Sequence, residues 1–512
     1  MKNISRATYY FWLIGCGFFI VGLLLQSNIF CNTDANWLLH VTSRFLRGGK
    51  YYYNFFETNP PMILYINVLP VLLAKGLHLS MSFVFRGYVF LIAIFSAFLC
   101  TALIKKIYQQ SPAWMWRMFV LALIFVFIVL PGHAFGEREH LALMLVAPYV
   151  FLVVLRARNL HLSTVFTLLI GILAGIGFAI KPYFVIPFGL VELYLIIKQR
   201  RLFSWVRLES LTICGILIAY LISIFVFSPE YITKILPLTW QLYTITMHFP
   251  WTMVASAIWI PLFLVSIGYY FAFYDWKQQS DFRSILLLVS IGFMCAYFLQ
   301  HITWFYHVLP SYAFSMLLLV QLFQEILVKP RKKTYVEKIQ GFFLVVVILV
   351  FAVIVPGRMF YIVLKRDRSV IITKTINFIR HNASNGKIFV FSMTIDNPYK
   401  YVDQAHAQSV SRFPSQLLIP GLIQQLIAAR TIQQKNLYNQ YKHEIINMVT
   451  DDLRLYQPDL IVVDDPAAKS FFVQHDFGYF EFFSQNKEFK HIISSYHYVH
   501  RIGNLLFYKR GR

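Results

Sequence analysis

The sequence predicts a polytopic α-helical membrane protein of about eleven transmembrane helices with a large first outer loop, followed by a small C-terminal α/β domain. Three observations lead there. Of 512 residues, 58% are hydrophobic and only 13% charged, with a mean hydropathy of +0.59; soluble globular chains of this size are far more polar. Roughly eleven apolar stretches of the ~20 residues a bilayer requires precede about residue 357. Lys and Arg recur in alternate loops between them, which places those loops in the cytoplasm. The net charge of +23 therefore suits anionic lipid headgroups, and no nucleic-acid partner is expected.

Taken in order, Tyr9–Phe30 reads as a retained first helix, because no small-residue cleavage site precedes Asn32. An outer loop, Cys31–Ser82, holds an amphipathic part (Ala35–Phe45) and a short apolar stretch (Met62–Leu77) that follows Pro60-Pro61 and contains Asn67. That stretch is expected to lie in the outer interface, since a crossing there would put Lys105, Lys106 and Arg117 outside. Further spans are expected at 84–104, 117–131, 141–155, 163–180, 183–197, 209–228, 252–273, 284–300, 309–328 and 340–356. The inner loops then carry Lys105, Lys106, Arg117, Arg156, Arg158, Lys198, Arg200, Arg201, Arg207, Lys277, Arg283, Lys329, Arg331, Lys332, Lys333 and Lys338.

Past Gly357 the apolar runs shorten to strand length, at Lys387–Ser392 and Leu460–Val463, with helical patterns at Ser415–Ala429 and His443–Leu455. Two domains are expected: a transmembrane domain, 1–356, and an outer-face α/β domain, 357–512. No Gly-rich loop of the kind that cradles nucleotide phosphates precedes a helix in the second. Four of the five cysteines (Cys16, Cys31, Cys100, Cys214, Cys295) sit in apolar runs, so neither a disulfide framework nor a metal spacing is read.

With this topology the polar motifs of the outer loops share one membrane face: Asp34, Glu57, Arg138 and Glu139 of the Gly-Glu-Arg-Glu-His run, Lys181, His301 and His307. Each has a plain structural alternative. Asp34 would serve as the N-cap of the amphipathic helix. Glu57 would be a solvated loop acid. Glu137, Arg138 and Glu139 would form an ion cluster at a helix start, where the dipole favours acids. Lys181 would reach the headgroups, although it breaks the positive-inside trend. His301 and His307, flanking Trp304-Phe305-Tyr306, would decorate the interface.

The run Tyr53-Asn54-Phe55-Phe56-Glu57-Thr58-Asn59-Pro60-Pro61, with the acid after the first helix, resembles the GT-C membrane glycosyltransferases, in particular the bacterial branch of aminoarabinose transferases and protein O-mannosyltransferases. The resemblance covers about residues 1–330. It implies transfer of a sugar from a polyprenyl-phosphate carrier to an envelope glycan, lipid or protein at the outer face of a bacterial inner membrane, with inversion. It implies Asp34 as general base and matches Glu57, Glu139 and Lys181 to the family's outer-loop positions, so that Glu57 and Glu139 are further catalytic candidates. Because cations must hold the departing phosphate, Arg138, Lys181 and either His301 or His307 are the candidates for donor phosphate binding. Three departures stand out: Ala35 where the family has a second carboxylate, Thr58 where close relatives have lysine, and Glu139 where aspartate is usual. No cofactor is implied with certainty. A divalent ion held by Asp34, Glu57, Glu139 and a histidine is an open possibility. The rival readings are a transporter or flippase of lipid-linked sugars, which would place its charges mid-helix, and a non-catalytic envelope assembly protein.

Overall fold

The computed structural model describes residues 6–247, 249–272, 280–328, 335–383, 386–394, 396–465 and 477–511. Of the expected inner-loop cations, Lys277, Lys329, Arg331, Lys332 and Lys333 lie outside the described residues, as does the side chain of Lys338.

The helices run in chain order: α1 Arg6–Asn28, α2 Thr33–Phe45, α3 Met62–Gly76, α4 Met81–Ile107, α5 Ala113–Ile128, α6 Arg138–Ala157, α7 Thr164–Ala179, α8 Val185–Gln199, α9 Leu208–Phe227, α10 Ile260–Ala272, α11 Asp281–Gln300, α12 Phe305–Val328, α13 Tyr335–Leu349 and α14 Val355–Asp367. Among the described residues, eight helical stretches are long and apolar enough to cross a membrane: α1, α4, α6, Pro182–Gln199, α9, α11, α12 and Ile339–Asp367. The other expected spans correspond to the shorter apolar helices α5, α7 and α10. Each is cut by local chemistry. Pro131-Gly132 follows α5, Lys181-Pro182 follows α7, and the expected 252–273 span breaks between Ala255 and Ile260. Two π-helical turns, Tyr231–Ile235 and Thr239–Tyr243, occupy a stretch the sequence reading left between spans.

The chain forms two compact units. The first comprises Met1–Asn32, Pro61–Ser223 and Phe249–Val363. Helix α6 is its axis, packed by α4, α7, α11 and α12 and almost wholly buried. Small residues let the backbones approach: a Cβ on Gly292 of α11 would meet Pro187 of α8 at 2.5 Å, the close packing that holds apolar helices together without a hydrophobic drive. Hydroxyls of Ser290, Ser311 and Ser315 join α11 to α12 inside this core.

The second unit comprises Thr33–Pro60, Ile224–His248 and Leu364–Arg512. It differs from the expected 357–512 in two ways. It begins later, because helix α14 continues to Asp367 past the composition change at Gly357. It also includes most of the first outer loop. Its sheet has the order β2-β1-β3-β5-β4, with β1 Lys387–Phe391, β2 Gln408–Ser409, β3 Leu460–Asp464, β4 Tyr496–Ile502 and β5 Leu505–Arg510. Strand β1 runs parallel to β2 and β3, while β5 pairs antiparallel with β3 and β4. The two central parallel strands are buried almost throughout, which explains their unbroken apolar sequence. The unit's helices after α14 are α15 Val370–Ala383, α16 Asp396–Gln404, α17 Ile419–Ala428, α18 Ile432–Tyr456, α19 Tyr479–Phe483 and α20 Lys487–Ile493. Helix α18 opens on a capping box in which Thr431 and Gln434 satisfy each other's backbone N–H.

Candidate functional site

The sequence-predicted residues fall into two groups, one in each unit. In the first unit, Arg138 and Glu139 begin α6, with Glu137 at the cap position. The approach to α6 is tightly built. Gly136 takes φ +84, and a Cβ there would lie 2.6 Å from the Phe85 ring, so only glycine fits the turn. His140 then ties the turn down: Gly136 N–H donates to its Nδ1 at 3.0 Å, and its Nε2–H donates to the Phe127 carbonyl at 2.8 Å. This pairing sets the tautomer.

Lys181 comes to the same place from the other end of α7. Preceding a proline, it is driven into extended backbone, φ −142 and ψ 141. Its buried ammonium donates to Glu139 Oε1 at 2.5 Å and to Gln300 Oε1 at 2.9 Å. His307, in the first turn of α12, brings Nδ1 within 3.0 Å of the same Glu139 oxygen. Arg138 pairs with Glu137 at 3.3 Å and stands 5.6 Å from the Tyr306 ring centroid. Glu137, Arg138, Glu139, Lys181 and His307 are all at most 5% exposed. The two acids and two permanent cations balance. Spare valence remains: Glu139 Oε2 and His307 Nε2 have no hydrogen-bond partner among the described residues. An ammonium has three N–H groups, and two are engaged here. A buried, charged cluster with spare valence can take a polar ligand. His301 directly follows Gln300. It ends α11 in the left-handed region, φ 52, with its ring 3.8 Å from that of Trp251.

In the second unit, Asp34 is the second residue of α2 and not its cap, because the helix already starts at Thr33. A carboxylate in that first turn is favoured by the helix dipole. Glu57 is buried and has partners on both oxygens. The Trp37 indole N–H donates to Oε2, and the Asn59 backbone and side-chain amides donate to Oε1 at 2.6 and 2.5 Å. It thereby ties the Phe-Glu-Thr-Asn-Pro loop to α2 one turn beyond Asp34. Arg44 donates to the carbonyls of Ser409 and Ser411 at 2.8 Å each, and Phe56 N–H donates to the Arg412 carbonyl at 2.7 Å. Arg412 is fixed in turn by Asp452, with its N–H and Nε at 2.8 and 2.9 Å. Burial, then Arg44 and Arg47, lower the His40 imidazole on α2 to about 4, so it is neutral at ordinary pH. No three His, Cys, Asp or Glu side chains are grouped to hold a metal among the described residues; Glu57 is committed to Trp37 and Asn59.

The sequence reading missed Trp37, Asn59, Gln300 and His140. Asn59 and His140 lay inside motifs the sequence displays, and Gln300 carried a signal as an amide at the end of an otherwise apolar helix; Trp37 carried none.

No family model matches the chain, and no curated protein does. Solved structures do. The crystal structure of ArnT, an aminoarabinose transferase, from Cupriavidus metallidurans bound to undecaprenyl phosphate aligns with a TM-score of 0.55 at 11% identity, covering 98% of each chain. Its apo state aligns with a TM-score of 0.56 at the same identity and coverage. The oligosaccharyltransferase AglB from Archaeoglobus fulgidus, in complex with an inhibitory peptide and a dolichol-phosphate, scores 0.48 at 11% identity over 99% of this chain and 75% of its own. Over 98% of its length the chain has the fold of ArnT.

Proposed function

We propose that this protein is an integral-membrane glycosyltransferase that moves a sugar from a polyprenyl-phosphate carrier to an envelope acceptor at the outer face of a bacterial inner membrane. The observation that carries the reading is the end-to-end ArnT fold, the ArnT structure itself holding undecaprenyl phosphate, together with a buried charged cluster in this chain that keeps spare polar valence. Transfer from a lipid phosphate needs a base for the acceptor hydroxyl and cations for the departing phosphate. Asp34 is the base, in a single displacement that inverts the anomeric carbon. Lys181 offers its third N–H to the phosphate, and Arg138 adds a second cation. The departing phosphate adds negative charge to an otherwise balanced cluster, and Lys181 and Arg138 are the cations that meet it. Glu139 holds Lys181 in place, and Glu57, with both oxygens engaged, positions the loop beside Asp34.

The test uses purified full-length protein, a polyprenyl-phosphate sugar and envelope extract as acceptor. Wild type transfers from the lipid donor, and a nucleotide sugar alone gives no product. Asp34→Asn keeps donor binding but loses turnover by at least about a hundredfold, the scale of a positioned general base. Full turnover by Asp34→Asn at saturating donor rules out the base assignment, and equal turnover with a nucleotide sugar rules out the donor class.

A further inference from the structure

At the end of α6 remote from Glu139, about 25 Å along the helix at 1.5 Å per residue, the first unit has a cavity of about 680 Å³. Its floor is a closed charge network. Arg156 pairs with Glu209 at 2.8 Å, Arg207 pairs with Glu209 at 3.0 Å, and Arg207 also pairs with Glu192 at 2.6 Å. Two arginines and two glutamates cancel there. The rim does not cancel: Arg201 lines the cavity and is exposed, while His161 beside it faces the Arg156 guanidinium with Nδ1 at 3.4 Å. Ser204 also lines it, and its buried hydroxyl has no partner among the described residues. Beside these polar groups the short helix Leu202–Trp205 turns outward, leaving Leu202 70% and Phe203 74% exposed.

We propose that this cavity binds the headgroup of an anionic phospholipid. A phosphodiester would take the Arg201 charge and the Ser204 hydroxyl, and the acyl chains would lie along Leu202 and Phe203. Neither half of the arrangement suits another occupant. A free phosphate would leave the two apolar side chains in water, and a neutral lipid would leave the rim charge unused. The proposal is independent of the chemistry assigned to the other end of the helices.

The test is native mass spectrometry of the full-length protein in detergent, titrated with phosphatidylglycerol or phosphatidylcholine. Phosphatidylglycerol should be retained and phosphatidylcholine lost. Arg201→Gln should weaken retention about five-fold, the effect of one cation near an anionic lipid. Phe203→Ser should weaken it as well. Arg200→Gln removes the neighbouring charge, which does not line the cavity, and should leave retention unchanged. All three positions are exposed, so folding is little affected. Equal losses in Arg200→Gln and Arg201→Gln would mean diffuse attraction and overturn the proposal. Equal retention of phosphatidylcholine, or displacement of the lipid by inorganic phosphate at matched concentration, would overturn it too.

Discussion

Glu57 shows what a buried carboxylate does when both its oxygens are taken. Removing the side chain leaves the Trp37 indole N–H and the Asn59 amides without an acceptor inside the protein, and each stranded donor costs about 1–3 kcal/mol. Glu57→Ala should therefore lower the thermal unfolding midpoint of the purified protein, and Trp37→Phe should reproduce part of the loss. A Glu57→Ala protein with wild-type unfolding but no turnover would restore Glu57 to the acid–base chemistry. The residue type and its motif were visible in the sequence, but its partners were not, because Trp37 lies twenty positions upstream and reads as one more apolar residue of an amphipathic helix. Lys181 differs: its break from the positive-inside pattern marked it as unusual, and the following proline sets the extended backbone that aims it.

At the scale of elements, the entry to α6 depends on a single glycine. Gly136→Ala puts a methyl into a backbone that L-residues rarely adopt and onto the Phe85 ring, so it should cost about 1–3 kcal/mol, as overpacking does. Gly87, within α4, has open space around its Cβ position, and Gly87→Ala should be neutral or slightly stabilising. Thermal unfolding of both variants measures the contrast; equal loss would mean that the turn tolerates a side chain. Long helices were legible from apolar length and the central strands from short unbroken apolar runs. The π-turns were not, since Tyr231–Tyr243 carries no periodicity of its own and takes its shape from contacts such as Gly421, whose Cβ position falls on the Leu242 carbonyl.

At the scale of the whole molecule, the alternation of basic loops makes a topology prediction. Alkaline phosphatase fused after Gly132 or Lys487 should be active, and fused after Lys106 or Ser204 inactive. Activity after Ser204 would place the basic helix ends outside and separate the motifs onto opposite faces. The grouping of Thr33–Pro60 with the C-terminal residues was beyond the reach of sequence reading, which divides a chain only where composition changes along it. This grouping sets a timetable for the protein's own synthesis. The loop bearing Asp34 and Glu57 leaves the ribosome early, whereas Arg412 and Asp452, which complete its scaffold, follow nearly four hundred residues later. At translation rates of 5–20 residues per second, that leaves the loop waiting about 20–80 s for its frame. Over that interval the Asp34 and Glu57 segment lacks the Arg412 and Asp452 scaffold that holds it, and a chain truncated before Asp452 should carry that segment without its frame.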